Sequence, residues 1–157
     1  MTSMTTPPLV TIAIPCYNHE QYVQDSIQSI IDQSYSNIEL IIIDDGSKDN
    51  SVLKIQELIS ICTNRFSRFE FRYRENKGLC NTLNEALKWA NGEYFCTLAS
   101  DDMIQPEKIE LQIQALREYP EAIACFGGVN IIDEHNKIID QRVRSFKKTC
   151  FSEIFLN

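Results

Sequence analysis

Five short runs rich in β-branched and aromatic residues punctuate the chain. They are Leu9 to Ile14, Ile38 to Ile43, Phe69 to Tyr73, Tyr94 to Leu98 and Ala122 to Phe126. The first two are almost continuously apolar, the signature of strands buried on both faces of a parallel sheet; the third alternates more. Between the runs lie stripes with helical spacing. Val23, Ile27, Ile30 and Ile31 form one, and Val52, Ile55, Leu58 and Ile59 a second. Leu79, Leu83, Ala86, Leu87 and Ala90 form a third, with Asn91-Gly92 as its stop, and Ile109, Ile113 and Leu116 a fourth, opened by Pro106. Packing into a core accounts for these stripes. The order βαβαβαβαβ predicts an α/β domain with a mostly parallel sheet, right-handed crossovers and helices on both faces. After Phe126 the rhythm changes: Val129 to Asp133 and Lys137 to Arg142 flank Glu134-His135-Asn136 as in a hairpin. Phe151 to Leu156 has the spacing of a further helix, and residues 1–8 read as a loose tail ahead of a domain spanning 9–157.

Ligands of parallel α/β sheets sit beyond the carboxyl ends of the strands. The segments expected there are Pro15-Cys16-Tyr17-Asn18, Asp44-Asp45-Gly46-Ser47, Asn76-Lys77-Gly78 and Ala99-Ser100-Asp101-Asp102. Each alone reads equally as a turn or a helix entry, with Asp49 as a cap after the second. Together they put two pairs of adjacent carboxylates on one rim. Neighbouring carboxylates repel unless a cation or a ligand donor offsets them, and a hard divalent ion that also holds substrate phosphates is the natural partner.

Composition narrows the partners. The 157 residues carry 22 acidic and 15 basic side chains, a net charge of −7, which argues against nucleic acid. The longest aliphatic run, Leu40 to Ile43, is far too short for a membrane span, and the polar start without a basic residue is not a secretory signal. The six cysteines lack CxxC spacing, so buried free thiols in a reducing, cytoplasmic compartment are expected rather than a zinc site or disulfides.

The ordered blocks VTIAIPCYN, IELIIIDDGSKD, Asn76-Lys77-Gly78, Asn91-Gly92-Glu93-Tyr94 and Ser100-Asp101-Asp102 resemble the family 2 glycosyltransferases of GT-A fold, from about residue 9 to about residue 130. The resemblance implies transfer of a sugar from a nucleotide diphosphate donor, by family frequency a UDP-sugar, to a glycan, lipid-linked or protein acceptor. Transfer would be assisted by Mn²⁺ or Mg²⁺ and inverting. It implies that Pro15, Tyr17 and Asn18 frame the base and ribose and that Asp45 bonds the base or ribose region. Lys77 and Gly78 would lie near the base edge. Ser100 would belong to the nucleotide-sugar site, Asp101 would face the ribose or donor sugar, and Asp102 would bind the metal. Two departures stand out. Thr82 and Leu83 occupy positions before Asn84 where the family often has a small and a basic residue. The acceptor half, with the general base of inverting members, is expected beyond Asn157, so no catalytic residue is assigned and this chain alone could be inactive. Contact with a membrane surface would come through the acceptor or through that further part.

Other residues read more plainly. His19 is expected to be a solvent-exposed loop residue, Arg65, Arg68, Arg72 and Arg74 a solvated strand edge, and Trp89 a packing residue. Gly127-Gly128 reads either as a close backbone approach near the donor sugar or as a strand-end turn. Two rival classes fit the sequence less well or less fully. A receiver-like signalling domain would need an Asp ending the third strand and a Lys ending the fifth. The sequence has Arg74-Glu75 and Gly127-Gly128 there. A non-catalytic nucleotide-binding domain is the alternative function.

Overall fold

A computed structural model of the chain describes residues 6–142. Four parallel strands, β1 (Val10–Cys16), β2 (Ile38–Asp44), β3 (Arg68–Tyr73) and β4 (Tyr94–Thr97), form one sheet in the order β3-β2-β1-β4. Five helices connect or follow them: α1 (Val23–Ile31), α2 (Ser51–Gln56), α3 (Ile59–Arg65), α4 (Leu79–Trp89) and α5 (Lys108–Glu118). The described residues fall into two compact units, one up to Glu110 and one from Leu111, the boundary lying within α5.

The central strands are mostly apolar because both of their faces are covered, and their polar residues Thr11, Glu39 and Asp44 are buried as well. Ala13, Ile41 and Ile43 pack with Ala86 and Trp89 of α4. The alternate residues Ile12, Ile14, Leu40 and Ile42 point to the opposite face and are equally buried. Strand β3 lies at the sheet edge and alternates in chemistry. Arg68, Glu70 and Arg72 share the face toward α4, where Arg72 Nη1 reaches Glu85 Oε1 at 3.0 Å and the Arg68 guanidinium stacks 3.7 Å over the Trp89 ring.

Several expectations need correcting. Ala122 to Phe126 is not a strand. Its residues have no ladder partner among the described residues, Ile123 and Phe126 are more than four-fifths exposed, and the Cys125 carbonyl is taken by the Gln112 side chain at 2.9 Å. The second stripe forms two short helices, because an i to i−3 bond from Leu58 N to Ile55 O tightens the chain between them. On α4 the buried residues are Thr82, Ala86 and Trp89, while Leu79 and Leu87 are exposed. The large indole decides which face turns inward. The tail is shorter than expected, since the Pro7 and Pro8 carbonyls accept bonds from Asn37 Nδ2 and Tyr35 Oη. The hairpin is present in the second unit as β5 (Val129–Ile132) and β6 (Ile138–Arg142), with Asn136 at a φ of 60° in its turn. The predicted helix at Phe151 to Leu156, with Glu153 and Cys150, lies outside the described residues.

Asn91-Gly92 does not end α4 by a left-handed glycine. Ala90 turns to extended backbone, and the Asn91 and Gly92 amides donate to Glu39 Oε1 at 2.6 and 3.2 Å. Gly92 is needed for closeness instead. A Cβ there would lie 2.5 Å from Thr11 Oγ1, 2.6 Å from Thr11 N and 2.8 Å from Tyr94 O. Gly92→Ala should therefore destabilise the protein by roughly 1–3 kcal/mol, because two of the three obstructing atoms are backbone. Urea denaturation checks this, and an unchanged midpoint would refute it.

Candidate donor-binding site

The carboxyl ends of β1 to β4 put all four predicted loops on one rim. Between them opens a cavity of about 460 Å³, lined by Pro15, Cys16, Tyr17, His19, Asp45, Asn76, Gly78, Leu79, Thr82, Ala99 and Ser100. Of the residues expected at the site, Pro15, Tyr17, Asp45, Gly78 and Ser100 line this cavity. Asn18, Lys77, Asp101 and Asp102 do not.

Those outside it fix the loops or stand at the edge. Asn18 sits at a φ of 56° and clasps the β2 loop: its N–H donates to Ser47 Oγ at 2.8 Å, and its Oδ1 accepts from Lys48 N at 2.7 Å. Asp44 holds that loop from within, accepting from Gly46 N, Ser47 N and Ser47 Oγ. The loop also requires Gly46. Its φ is +82°, and a Cβ would come within 2.7 Å of Asn76 N. Asp49 ties the next turn to the β1 loop, accepting from Ser51 N, Ser51 Oγ and Glu20 N.

Asp45, nearly buried, joins the β2 and β3 loops. Its Oδ1 accepts from Lys77 N at 2.8 Å and from Arg74 Nη1, and its Oδ2 accepts from Gly78 N at 2.9 Å. Burial alone would raise its carboxyl, but the Lys77 amide, the Arg74 guanidinium and the Gly78 amide together hold it below the usual carboxylate range.

Ser100 is buried, and its hydroxyl lies 2.7 Å from His19 Nδ1, which in turn lies 3.9 Å from Asp101 Oδ1. His19 is thus a wall residue joining the β1 and β4 loops, not the solvent-exposed loop residue expected. The β4 loop is also held from below by polar residues of α1 and the turn after it. Ser26 Oγ donates to the Ala99 carbonyl, Ser29 Oγ accepts from Ile104 N, and Gln33 Nε2 donates to the Gln105 carbonyl. Asp102, on the exposed edge, has its carboxyl raised by burial and by the adjacent Asp101 charge. Among the described residues no three His, Cys, Asp or Glu side chains form a ready cage for a metal. The donor set nevertheless fits Mg²⁺ or Mn²⁺, which use one or two carboxylates and take further oxygens from substrate phosphates. The adjacent Asp101 and Asp102 carboxylates are the charges that such an ion would offset.

Sequence reasoning missed Arg74 and Thr82 as parts of the site. The arginines are not a solvated edge. Arg74 pairs with Asp45 and Glu85, Arg72 with Glu70 and Glu85, Arg68 with Glu39, and Arg65 donates to the carbonyls of Ile31, Gln33 and Tyr35. The signal was the period-2 alternation, which puts Glu70 among them. Trp89 is buried as expected, and its Nε1 donates to Glu70. Cys16 and Cys62 are buried thiols, each pushed up to about 11 by burial, which leaves them unreactive. Cys80, by contrast, is exposed, and a Cβ at Gly127 would meet open space rather than a close approach.

This α/β domain, with its four loops on the carboxyl rim of a parallel sheet, has the GT-A fold of glycosyltransferases, of which it covers a part. Residues 11–156 match the family described as Glycosyl transferase family 2, and the chain belongs to that family. An uncharacterized glycosyltransferase of Rickettsia felis is 37% identical over 128 residues, which are 81% of this chain and 20% of that protein. The Escherichia coli UDP-Glc:alpha-D-GlcNAc-diphosphoundecaprenol beta-1,3-glucosyltransferase WfgD is 34% identical over 145 residues, 90% of this chain and 53% of WfgD. The chain thus spans between about a fifth and about half the length of these relatives. In fold it is similar to S. aureus TarS 1-349 in complex with UDP-GlcNAc, with a TM-score of 0.63 at 24% identity over 71% of this chain and 32% of that one. It is equally similar to mannosyltransferase PcManGT from Pyrobaculum calidifontis in complex with GDP-Man and Mn2+, with a TM-score of 0.63 at 23% identity over 84% of this chain and 39% of that one.

Proposed function

We propose that this chain is the donor-binding part of an enzyme that transfers a sugar from a UDP-sugar, with inversion, to a glycan, lipid-linked or protein acceptor at the cytoplasmic face of a membrane. The observation that carries the reading is the rim cavity, floored by the Asp45 carboxylate and walled by His19, which bridges toward Asp101 at the exposed edge. WfgD, whose name specifies UDP-Glc and a diphosphoundecaprenol-linked acceptor, supports the donor and the lipid-linked acceptor. Among the described residues no helix is long and apolar enough to cross a membrane.

In this reading Asp45 accepts a hydrogen bond from the base, Pro15 and Tyr17 flank the nucleoside, and Ser100 and Asp101 face the ribose or sugar. Asp102, helped by Asp101, would hold a divalent ion on the donor phosphates. Such an ion stabilises the negative charge that develops on the departing diphosphate. The acceptor hydroxyl oxygen forms the new bond to the anomeric carbon as the carbon–oxygen bond to the diphosphate breaks. Its proton passes to a general base.

Thermal shift and calorimetry with UDP, with and without Mn²⁺, test the proposal. A ligand at one hundred times its Kd should stabilise the fold by about 2.7 kcal/mol. Asp102→Asn keeps the shape but removes the charge. UDP binding by that variant should lose most of its metal dependence while uridine binding stays near wild type. If UDP binds wild type equally with and without metal, Asp102 has no metal role; if UDP does not bind at all, the donor-site reading fails.

A further inference from the structure

Two kinds of anchor hold the β4 loop, and they differ in what they connect. One kind comes from below. Ser26, Ser29 and Gln33, spaced three and four apart on α1 and the turn after it, bond to the Ala99 carbonyl, to Ile104 N, and to the Gln105 carbonyl and Ile109 N. These three residues lie outside the cavity lining. The other anchor is His19, which lines the cavity.

The His19 backbone belongs to a fixed frame. Its N–H donates to Ser51 Oγ at 2.9 Å, and its carbonyl accepts from Tyr22 N and Val23 N at the start of α1. Only the imidazole crosses to the β4 loop, where Nδ1 lies 2.7 Å from the Ser100 hydroxyl and 3.9 Å from Asp101 Oδ1. Ser100 is buried, and the two residues after it are the exposed acid pair. A turn closed by Asp102 N on the Ala99 carbonyl at 3.1 Å keeps that pair together although like charges repel. One side chain therefore belongs to the cavity wall and, through one hydroxyl, also holds the segment that carries Asp101 and Asp102.

We infer that His19 is a positioning residue that couples the two parts of the donor site: a nucleoside seated in the cavity strengthens ion binding at Asp101 and Asp102 through the His19–Ser100 contact, with no phosphate bridging the two. This rests on the reading of the cavity as the nucleotide-donor site and of the acid pair as its ion site. The physical basis is shared ordering. The acid pair is exposed and self-repelling, so an ion that binds it must restrict it, at a cost in conformational entropy. A nucleoside that fills the cavity restricts the His19 ring, and with it Ser100, so part of that ordering is already made when the ion arrives. Linkage makes the effect reciprocal: the ion tightens the nucleoside by the same factor.

The test measures Mn²⁺ affinity by electron paramagnetic resonance, with and without saturating uridine, at one pH throughout. Uridine has no phosphate to offer the ion, so the change it causes runs through the protein. In wild type, uridine should tighten Mn²⁺ by about fivefold, and Mn²⁺ should tighten uridine equally in calorimetry. His19→Phe keeps an aromatic ring without its nitrogens. It should bring the factor to about one while uridine and Mn²⁺ each still bind alone. Ser100→Ala should do the same, and it keeps the test decisive if His19→Phe fails to fold. The double variant should lose no more coupling than either single one, as expected for two ends of one contact. Ser29→Ala loosens the loop from below, so it should weaken Mn²⁺ alone and leave the factor unchanged. A merely structural His19 would behave as Ser29→Ala does, and that result overturns the inference. Loss of the factor in Ser29→Ala overturns it too, and so does a factor of one in wild type. A coordinated-nitrogen signal in the wild-type Mn²⁺ spin-echo spectrum, absent from His19→Phe, would make His19 a ligand and overturn it as well. In each of these outcomes uridine still binds and the donor-site reading stands. Absence of uridine binding by wild type would overturn both.

Discussion

Glu39→Ala should cost the protein roughly 3–5 kcal/mol of stability, the magnitude expected when one partner is removed from a buried, hydrogen-bonded charge cluster. Glu39 is fully buried near the start of β2, at the opposite end of the sheet from the cavity. Its Oε1 accepts from Thr11 Oγ1 at 2.6 Å and from the Asn91 and Gly92 amides, and its Oε2 faces Arg68 Nη1 at 3.3 Å. Alanine would strand the Thr11 hydroxyl proton and the Asn91 amide and take a carboxylate from Arg68, in a region with little water, while the Gly92 amide keeps Thr11 Oγ1. Glu39→Gln keeps one oxygen toward the amides but sets an NH₂ against Arg68, so an intermediate loss is expected. Denaturant titration at a constant m-value measures both. A loss below about 1 kcal/mol for Glu39→Ala would show that the cluster contributes little net stability.

Asp45→Ala is expected to have the largest effect on binding. Loss of a charge-assisted hydrogen bond is worth roughly 1.5–3 kcal/mol, about tenfold or more in affinity for UDP and for uridine alike. It also frees the Lys77 and Gly78 amides and the Arg74 guanidinium, so the β3 loop loosens and the fold weakens at the same time. Calorimetry on variant protein shown to be folded separates the two effects, and unchanged affinity for both ligands would remove Asp45 from the site. The pH behaviour has a definite sign. A carboxyl held below its ordinary value stabilises the fold above the unfolded-state pKa and loses that contribution as pH falls through the folded-state one. Wild-type stability from this group should therefore persist until the solution is more acid than the ordinary carboxylate range. Asp102 runs the other way. Its raised carboxyl penalises the fold at neutral pH, and protonation relieves that penalty.

What the sequence by itself determined was local and periodic. Continuous apolar runs marked β1 and β2, helical stripes marked α1 and α5, and alternation of the two implied parallel strands with every connecting loop on one rim. That was enough to bring Asp45, Ser100, Asp101 and Asp102 to one end of the sheet, and the spacing of the motif blocks pointed to the family. It was not enough to say which side chains touch. Thr11 meets Gly92 across 81 positions, His19 meets Ser100 across 81, and Arg74 meets Asp45 across 29. Such contacts depend on strand order and register. These are settled by how whole faces pack, so a short window around any one residue does not contain them. The arginines of β3 show the difference most clearly. In the sequence they are a cluster of positive charge. Once period 2 places Arg68, Arg72 and the following Arg74 on one face, and β2, its loop and α4 supply Glu39, Asp45 and Glu85, they become neutralised struts, and Arg74 holds the acceptor that the cavity presents. The segment at Ala122 to Phe126 shows the converse. Its composition favours a strand, but a strand needs a neighbour for its backbone groups, and only the tertiary structure decides whether one is there.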